Sequence, residues 1–307
     1  MSAKGSQTRV TQSVVFGAGD CIFRGTHFDR LAAIIRRARS RTRLQSFMTT
    51  HAPFRIASLV PSLTELLVAL GLREHIVART GFCIHPADAV AGIAKVGGTK
   101  DVNLVKLRRL APTHVLVNVD ENRVETAQAL REFVPQVLVT HPCRPEDNLA
   151  LLEQMVAAFG SLPGVLDRAA ELRTVLQREL ALTQSHAWRP RRVLYLIWRD
   201  PWMTVARDTY IAQMLACVGW HTLPALDGGA QGAARYPVLQ GDEPWLAEVD
   251  QVLLSSEPYR FGKAHVEEAQ RLCPQAGVQL VDGELLSWYG PRAAAGLAYL
   301  RGLAGAP

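Results

Sequence analysis

Residues 55–71 read RIASLVPSLTELLVALG, and this stretch determines which fold the chain is predicted to adopt. It opens with a short apolar strand over 55–60 and continues, after a Pro-Ser turn, as an apolar helix that Gly71 should end. Ser62 and Glu65 have the S-x-x-E spacing of a capping box, which satisfies free backbone N–H groups at the start of a helix. The stretch therefore predicts a strand–turn–helix unit.

Further strands and helices alternate along the rest of the chain. The predicted strands lie at 76–80, 114–118, 136–140, 193–198, about 221–223, 251–255 and 278–281. The predicted helices lie at 104–110, 121–133, 146–159, 209–218, 263–272 and 291–303. Such alternation predicts an α/β architecture in which the sheets are mostly parallel.

One predicted helix is longer than the others. Leucines recur at every fourth position within 165–185, which contains no Gly or Pro, so this segment should form a helix ~30 Å long that can span two lobes. We therefore predict two three-layer α/β lobes with mostly parallel sheets, joined by one long backbone helix. The lobes are assigned to 55–160 and 191–307, and the linking segment to 161–190.

The net charge of +6 is concentrated in residues 1–54, which hold nine Lys/Arg and two Asp/Glu. The remaining residues hold 25 basic and 26 acidic side chains, so the body is neutral and lacks the composition of a nucleic-acid-binding domain. We predict that 1–54 is a disordered basic extension. Two alternatives are a basic amphipathic helix over 30–44, suited to a membrane surface or a nucleic acid, and a true start at Met48.

Cysteine usage and the N-terminal sequence both bear on location. The five cysteines are an odd number and no pair has C-x-x-C spacing, which favours reduced thiols. The sequence shows no apolar core of a signal peptide, no proper lipoprotein cleavage motif and no run of ~18 apolar residues that would span a membrane. These features predict a cytoplasmic protein. A periplasmic location is the alternative if the start is misassigned.

Residues that follow the predicted strands should share one edge of each sheet, where ligands bind in open α/β folds. Glu121 and Glu257 are acids at two such positions. Cys83 and His85 alternate along an extended segment, so both side chains could face one metal ion. The alternatives are that Cys83 is buried in a rigid loop and that the acids are ordinary polar strand ends.

Aromatic and arginine side chains are frequent in the loops of the second half. Exposed rings suit the walls of a site for a flat, partly apolar ligand, and arginines suit its polar edge. The alternative is that the same rings pack one lobe against the other. The predicted ligand-binding residues are Ser62, Cys83, His85, Thr99, Glu121, Trp198, Trp202, Arg235, Tyr236, Glu257, Tyr259, Trp288 and Arg292.

Sequence signals for catalysis are few. The chain contains no P-loop, no G-x-S-x-G nucleophile motif and no H-E-x-x-H zinc motif. We therefore predict that the protein is not an enzyme.

Four segments together resemble a known family. They are RIASLVPSLTELLVALG at 55–71, FCIHP at 82–86, KVGGTKDVNL at 95–104 and LAPTHVLVN at 110–118. They are similar to the substrate-binding proteins for iron–siderophores, haem and cobalamin, whose two α/β lobes are joined by one backbone helix. In the second half, WRDPWMTV, RYP, LLSSEPY and VDGE resemble a branch without signal peptides, described as helical-backbone metal receptors. DENR at 120–123 resembles the EENR usual in that branch.

The resemblance implies non-enzymatic binding of a metal-bearing ligand in the cleft between the lobes. The implied ligand is cobalamin, another corrinoid or an iron chelate, and no nucleic acid is an expected partner. One alternative is an exported substrate-binding component of an ABC transporter, which alone would have a membrane permease as partner. Another is a metal-dependent enzyme that uses Cys83 and His85.

Overall fold

The computed structural model describes residues 54–305, all within one compact unit. The predicted basic extension lies outside this range except for Phe54, so the structure does not test it. Among the described helices, none is both long and apolar enough to cross a membrane.

The first sheet has five strands, all parallel, in the order β3-β2-β1-β4-β5. The strands are β1 Ile56–Ser58, β2 Ile76–Arg79, β3 Ala94–Lys95, β4 His114–Asn118 and β5 Gln136–Thr140. The helices between and after them are α1 Pro61–Ala69, α2 Ala87–Val90, α3 Leu104–Arg109, α4 Val124–Leu130 and α5 Asp147–Phe159, with a 3₁₀ turn at Arg73–His75.

The long helix that follows, α6, spans Val165–Gln184 without interruption, as the leucine spacing predicts. The second sheet comes after it and has four parallel strands in the order β7-β6-β8-β9. Its strands are β6 Arg191–Leu196, β7 Trp220–Thr222, β8 Gln251–Ser255 and β9 Gly277–Val281. Its helices are α7 Tyr210–Ala216, α8 Ala264–Leu272, α9 Gly283–Ser287 and α10 Arg292–Leu303, with 3₁₀ turns at Ala233–Arg235 and Pro244–Glu248.

The predicted fold class is therefore confirmed, with two parallel α/β lobes and one long helix between them. Gly71 has a φ of +80°, so it ends α1 in the left-handed conformation that glycine adopts readily. The capping-box prediction was wrong. The helix starts before Ser62, so its N-cap is Val60, whose side chain has no acceptor, and Pro61 occupies the first turn. Glu65 is therefore free to make another contact.

One hydrophobic core layer is shared by the two lobes, and each lobe also has a core layer of its own. In a parallel sheet covered on both sides, successive side chains enter different buried layers, as Leu194 and Tyr195 of β6 do. The layer that contains Tyr195 is continuous with Leu176 of α6 and with Ile56 of the first sheet. Apolar packing therefore extends through α6 from one lobe to the other.

Candidate functional site between the lobes

The candidate site lies where the loops that follow the strands of the two sheets meet. Because the strands of each sheet are parallel, the loops after β1, β2, β4 and β5 lie at one edge of the first sheet. The loops after β6, β7, β8 and β9 occupy the corresponding edge of the second sheet. Side chains from the two edges make hydrogen bonds and ion pairs with each other, and we call this contact region the cleft.

One part of the cleft is centred on His85, which comes from the loop after β2. Its Nε2 lies 3.1 Å from Glu284 Oε1 of the second lobe, and its ring meets Trp288 edge-on with centroids 5.7 Å apart. The indole Nε1 of Trp288 in turn donates a 2.8 Å hydrogen bond to Glu257 Oε2. Burial raises the pKa of Glu257 above the usual carboxyl range, despite this hydrogen bond.

Arg292, at the start of α10, connects the same group to α1. Its Nε donates to Glu65 Oε2 at 2.7 Å, and its Nη1 pairs with Glu284. The guanidinium also lies over the Trp288 ring, 4.6 Å from the centroid. Arg292 therefore holds carboxylates of both lobes and one aromatic face at once.

A second part of the cleft is a half-buried carboxyl–phenol contact. The hydroxyl of Tyr289 donates to Glu121 Oε1 across the cleft at 3.1 Å. Burial raises the pKa of Glu121 to about 7. This effect is larger than the opposing effects of the Tyr289 hydrogen bond and the Lys100 charge. Ser62, with only 2% of its surface exposed, has no hydrogen-bond partner for its Oγ within the described chain.

The third part surrounds Arg235, which is 1% exposed. Its Nε lies 2.8 Å from Asp120 Oδ1 of the first lobe, and its Nη1 lies 3.4 Å from Asp208. Two residues from the loop after β5 complete the group. His141 Nε2 is 3.4 Å from Asp120 Oδ2, and Cys143 Sγ is 3.4 Å from His141 Nε2.

The charges in this third part stabilise each other. The hydrogen bond to Asp120 is the main reason that the pKa of His141 rises to about 9, with a further contribution from Cys143. Burial opposes ionisation of Asp120, but hydrogen bonds from His141 and Arg235 outweigh it and lower the pKa of that carboxyl. Burial raises the pKa of Tyr236, and Arg235 and Asp120 are among the charges that influence it.

Eight of the predicted site residues thus take part in or adjoin the cleft. They are Ser62, His85, Glu121, Arg235, Tyr236, Glu257, Trp288 and Arg292.

The predicted metal pair of Cys83 and His85 stays a prediction, and the structure shows different contacts for the two side chains. Cys83 is 0% exposed, its Sγ lies 3.1 Å from Thr80 Oγ1, and burial raises the pKa of its thiol. His85 contacts Glu284 of the second lobe. Within residues 54–305 no three His, Cys, Asp or Glu side chains form a group able to hold a metal ion.

The other predicted aromatic residues contact neighbouring rings of their own lobe rather than the ion pairs described above. Trp202 stacks on Phe261 with an interplanar angle of 8°, and Arg199 covers its ring. Trp198, which is 41% exposed, meets Tyr259 edge-on. These rings pack within the second lobe, so the structure does not bring Trp202 to His85 as a ligand-site partner.

Thr99 was predicted to bind the ligand, and in the structure its backbone supports a neighbouring loop. Its carbonyl oxygen accepts a hydrogen bond from Asn122 Nδ2 at 2.9 Å, which fixes the loop before α4. Thr99 therefore supports the segment that carries Asp120 and Glu121.

Sequence reasoning missed several residues of the cleft. Glu65 was assigned to a helix cap, and Asp120 was passed over in favour of the adjacent Glu121. His141 and Cys143 follow β5 just as Cys83 and His85 follow β2. This shared position after a strand could have indicated that His141 and Cys143 belong to the site. The others are Lys100, Asp208, Glu284 and Tyr289.

Two α/β lobes, a single connecting helix and polar groups that converge between the strand ends define a class of substrate-binding proteins. Residues 56–232 match the periplasmic binding protein family, and the chain belongs to that family. The resemblance predicted from the sequence is therefore confirmed.

Two curated relatives show where the similarity lies. The chain is 27% identical over 170 residues to a vitamin B12-binding protein of Photorhabdus laumondii, which covers 55% of this chain and 60% of the relative. It is 25% identical over 213 residues to a vitamin B12-binding protein of Vibrio vulnificus, which covers 69% of this chain and 71% of the relative. The chain thus aligns with less than two thirds of the former.

Solved structures agree in fold. The periplasmic vitamin B12-binding protein BtuF of Vibrio cholerae superimposes with a TM-score of 0.66 at 19% identity, over 82% of this chain and 98% of that one. The periplasmic haem-binding protein HutB of the same organism gives 0.66 at 20% identity, over 82% and 99%. At such identities the likeness concerns the fold alone.

Proposed function

We propose that the protein is a substrate-binding protein that holds a corrinoid or an iron chelate such as haem between its lobes, without altering it chemically. The observation that carries this proposal is the group around Trp288, where one aromatic ring, Arg292 and His85 meet between the lobes. Trp288 is 7% exposed and lies under Arg292, so a flat macrocycle would take the place of the guanidinium on the ring, and its carboxylate or phosphate groups would pair with the displaced Arg292.

The relatives support this choice of ligand, since those above are described as binding vitamin B12 or haem. A metal-dependent enzyme that uses Cys83 and His85 has no such support, because the Cys83 thiol is buried away from His85.

The place of the protein in a transport process is a separate proposal. The related Bacillus subtilis protein is described as an ABC transporter substrate-binding lipoprotein, and it aligns over 53% of this chain. A permease partner would follow if this chain were exported. The cytoplasmic location stays a prediction, and none of the comparisons supports it, since the solved relatives above are described as periplasmic.

Equilibrium dialysis with cyanocobalamin and with hemin tests the proposed function. Trp288→Ala should weaken binding of the preferred ligand by about 1–3 kcal/mol, roughly 5- to 150-fold, because it removes one aromatic contact surface. Trp202→Ala is the matched control, since that ring stacks on Phe261 within the second lobe, and it should leave the affinity nearly unchanged. A wild-type protein with no affinity for either ligand would refute the proposed function.

A further inference from the structure

The loop after β5 carries a cysteine–histidine pair that the proposed binding mode does not use. Cys143 Sγ lies 3.4 Å from His141 Nε2, and Arg235 Nη2 of the second lobe donates to the same sulfur at 3.6 Å. Because one contact comes from each lobe, the sulfur lies in the cleft. It is also only partly buried.

The surroundings of this sulfur differ from those of the other thiols that the structure describes. Cys83 and Cys273 are fully buried, and the Cys217 thiol donates to the carbonyl of Gln213 at 3.4 Å on the same helix. Within residues 54–305, Cys143 alone has its sulfur in contact with both an arginine and a histidine. A partly buried sulfur that receives contacts from both lobes can meet a ligand held in the cleft, and sulfur is a soft ligand for metal ions.

We propose that Cys143 Sγ is a direct ligand to the metal ion of the bound corrinoid or haem, and that His141 positions the thiol. This rests on the proposed function, which supplies the metal as part of the cargo. Thiolate is a soft ligand that haem iron accepts in other proteins. When Cys143 binds, an electron pair of its sulfur forms the bond to the metal ion. The water molecule bound to that metal ion leaves, and the thiol proton passes to solvent. The oxidation states of metal and sulfur do not change.

The absorption spectrum of bound aquocobalamin tests this assignment, because its axial water can be replaced. Wild-type protein should shift the corrin bands away from those of free aquocobalamin, and cobalt X-ray absorption should show a sulfur neighbour. Cys143→Ser should lose both signals and weaken aquocobalamin binding by about tenfold or more. His141→Gln should reduce the band shift, and Cys217→Ser, the matched control, should behave as wild type.

Cyanocobalamin separates this inference from the proposed function, because its cyanide already occupies the axial position. Cys143→Ser should change the affinity for cyanocobalamin far less than the affinity for aquocobalamin, and circular dichroism should show that the variant is folded. If wild type binds aquocobalamin without a sulfur neighbour, or if Cys143→Ser keeps the shifted bands, the thiolate assignment is wrong while the proposed function stands. If wild type binds neither cobalamin nor hemin, both fail. The wild-type X-ray absorption result decides the matter even if the variant does not fold.

Discussion

The two lobes have the same architecture but present different chemistry to the cleft. The first lobe supplies carboxylates at the ends of its strands and on α1, chiefly Glu65, Asp120 and Glu121. The second lobe supplies arginines, with Arg235 as the partner of Asp120 and Arg292 as the partner of Glu65. At these two contacts a first-lobe acid meets a second-lobe arginine, whereas at His85 a first-lobe histidine meets the second-lobe acid Glu284.

These ion pairs determine which groups a ligand would meet in the cleft. The guanidinium groups that would pair with a ligand's anionic groups are instead paired with first-lobe carboxylates. A ligand must therefore replace those ion pairs or add to them, and its own negative charges would take the place of the first-lobe acids.

The largest effect should come from breaking the helix that joins the lobes. Leu176→Pro removes a backbone hydrogen bond from the middle of α6 and disrupts the core shared by both lobes, so it should cost ~3 kcal/mol or more and unfold the protein. Chemical denaturation measures this. Leu182→Ala, at an exposed position of the same helix, should stay within about 0.5 kcal/mol of wild type. A folded Leu176→Pro protein would show that α6 does not hold the lobes together.

The next effect concerns the most buried ion pair between the lobes. Asp120→Ala leaves the guanidinium of Arg235 without its main partner and should lower the free energy of unfolding by about 3 kcal/mol. Asp120→Asn combined with Arg235→Met should recover most of this loss, because it removes the uncompensated charge. If the double variant is no more stable than Asp120→Ala in the same denaturation experiment, the pair is not the cause.

The third prediction uses the raised pKa of Glu121. In the folded protein this carboxyl keeps its proton up to about pH 7, whereas in the unfolded chain it ionises near 4.5. The stability it contributes is therefore fully present below pH 4.5 and is lost as the pH rises to about 7, with a size on the order of 1–3 kcal/mol. Glu121→Gln should remove this part of the pH profile. Parallel profiles for wild type and variant would contradict the prediction.

The smallest effect should come from an ion pair that does not cross the cleft. Glu153 Oε1 lies 3.2 Å from Arg173 Nη2 on the exposed surface between α5 and α6. Glu153→Gln should change the free energy of unfolding by less than about 1 kcal/mol, since solvent screens such pairs. A loss as large as that of Asp120→Ala would show that burial in the cleft is not what distinguishes the two pairs.

The sequence predicted the elements of the fold well, because periodicity and turn residues are local signals. The strands 114–118, 136–140 and 251–255 have the predicted bounds, and α6 differs by one residue. The two-residue strand β3 was missed, since so short a segment has no periodicity of its own.

The site was predicted less completely, because its contacts join residues far apart in the chain. Glu65 meets Arg292, and no local pattern shows that α1 and α10 begin side by side. Cys83 has the right residue type in the right loop, but only the packing against Thr80 shows that its thiol points into the core. Strand-end position is thus a good indicator of which loops meet, and a poor indicator of which side chains in them face the ligand.

The continuous core has a consequence for how such a protein can be divided. A chain cut on either side of α6 would yield two fragments, each with an apolar face built to be covered by the other. Neither fragment would be a self-sufficient module, so exchange of one lobe between relatives requires that the matching face of the helix be exchanged with it. Calorimetry should accordingly show one cooperative melting transition for the whole body, where two independent halves would give two.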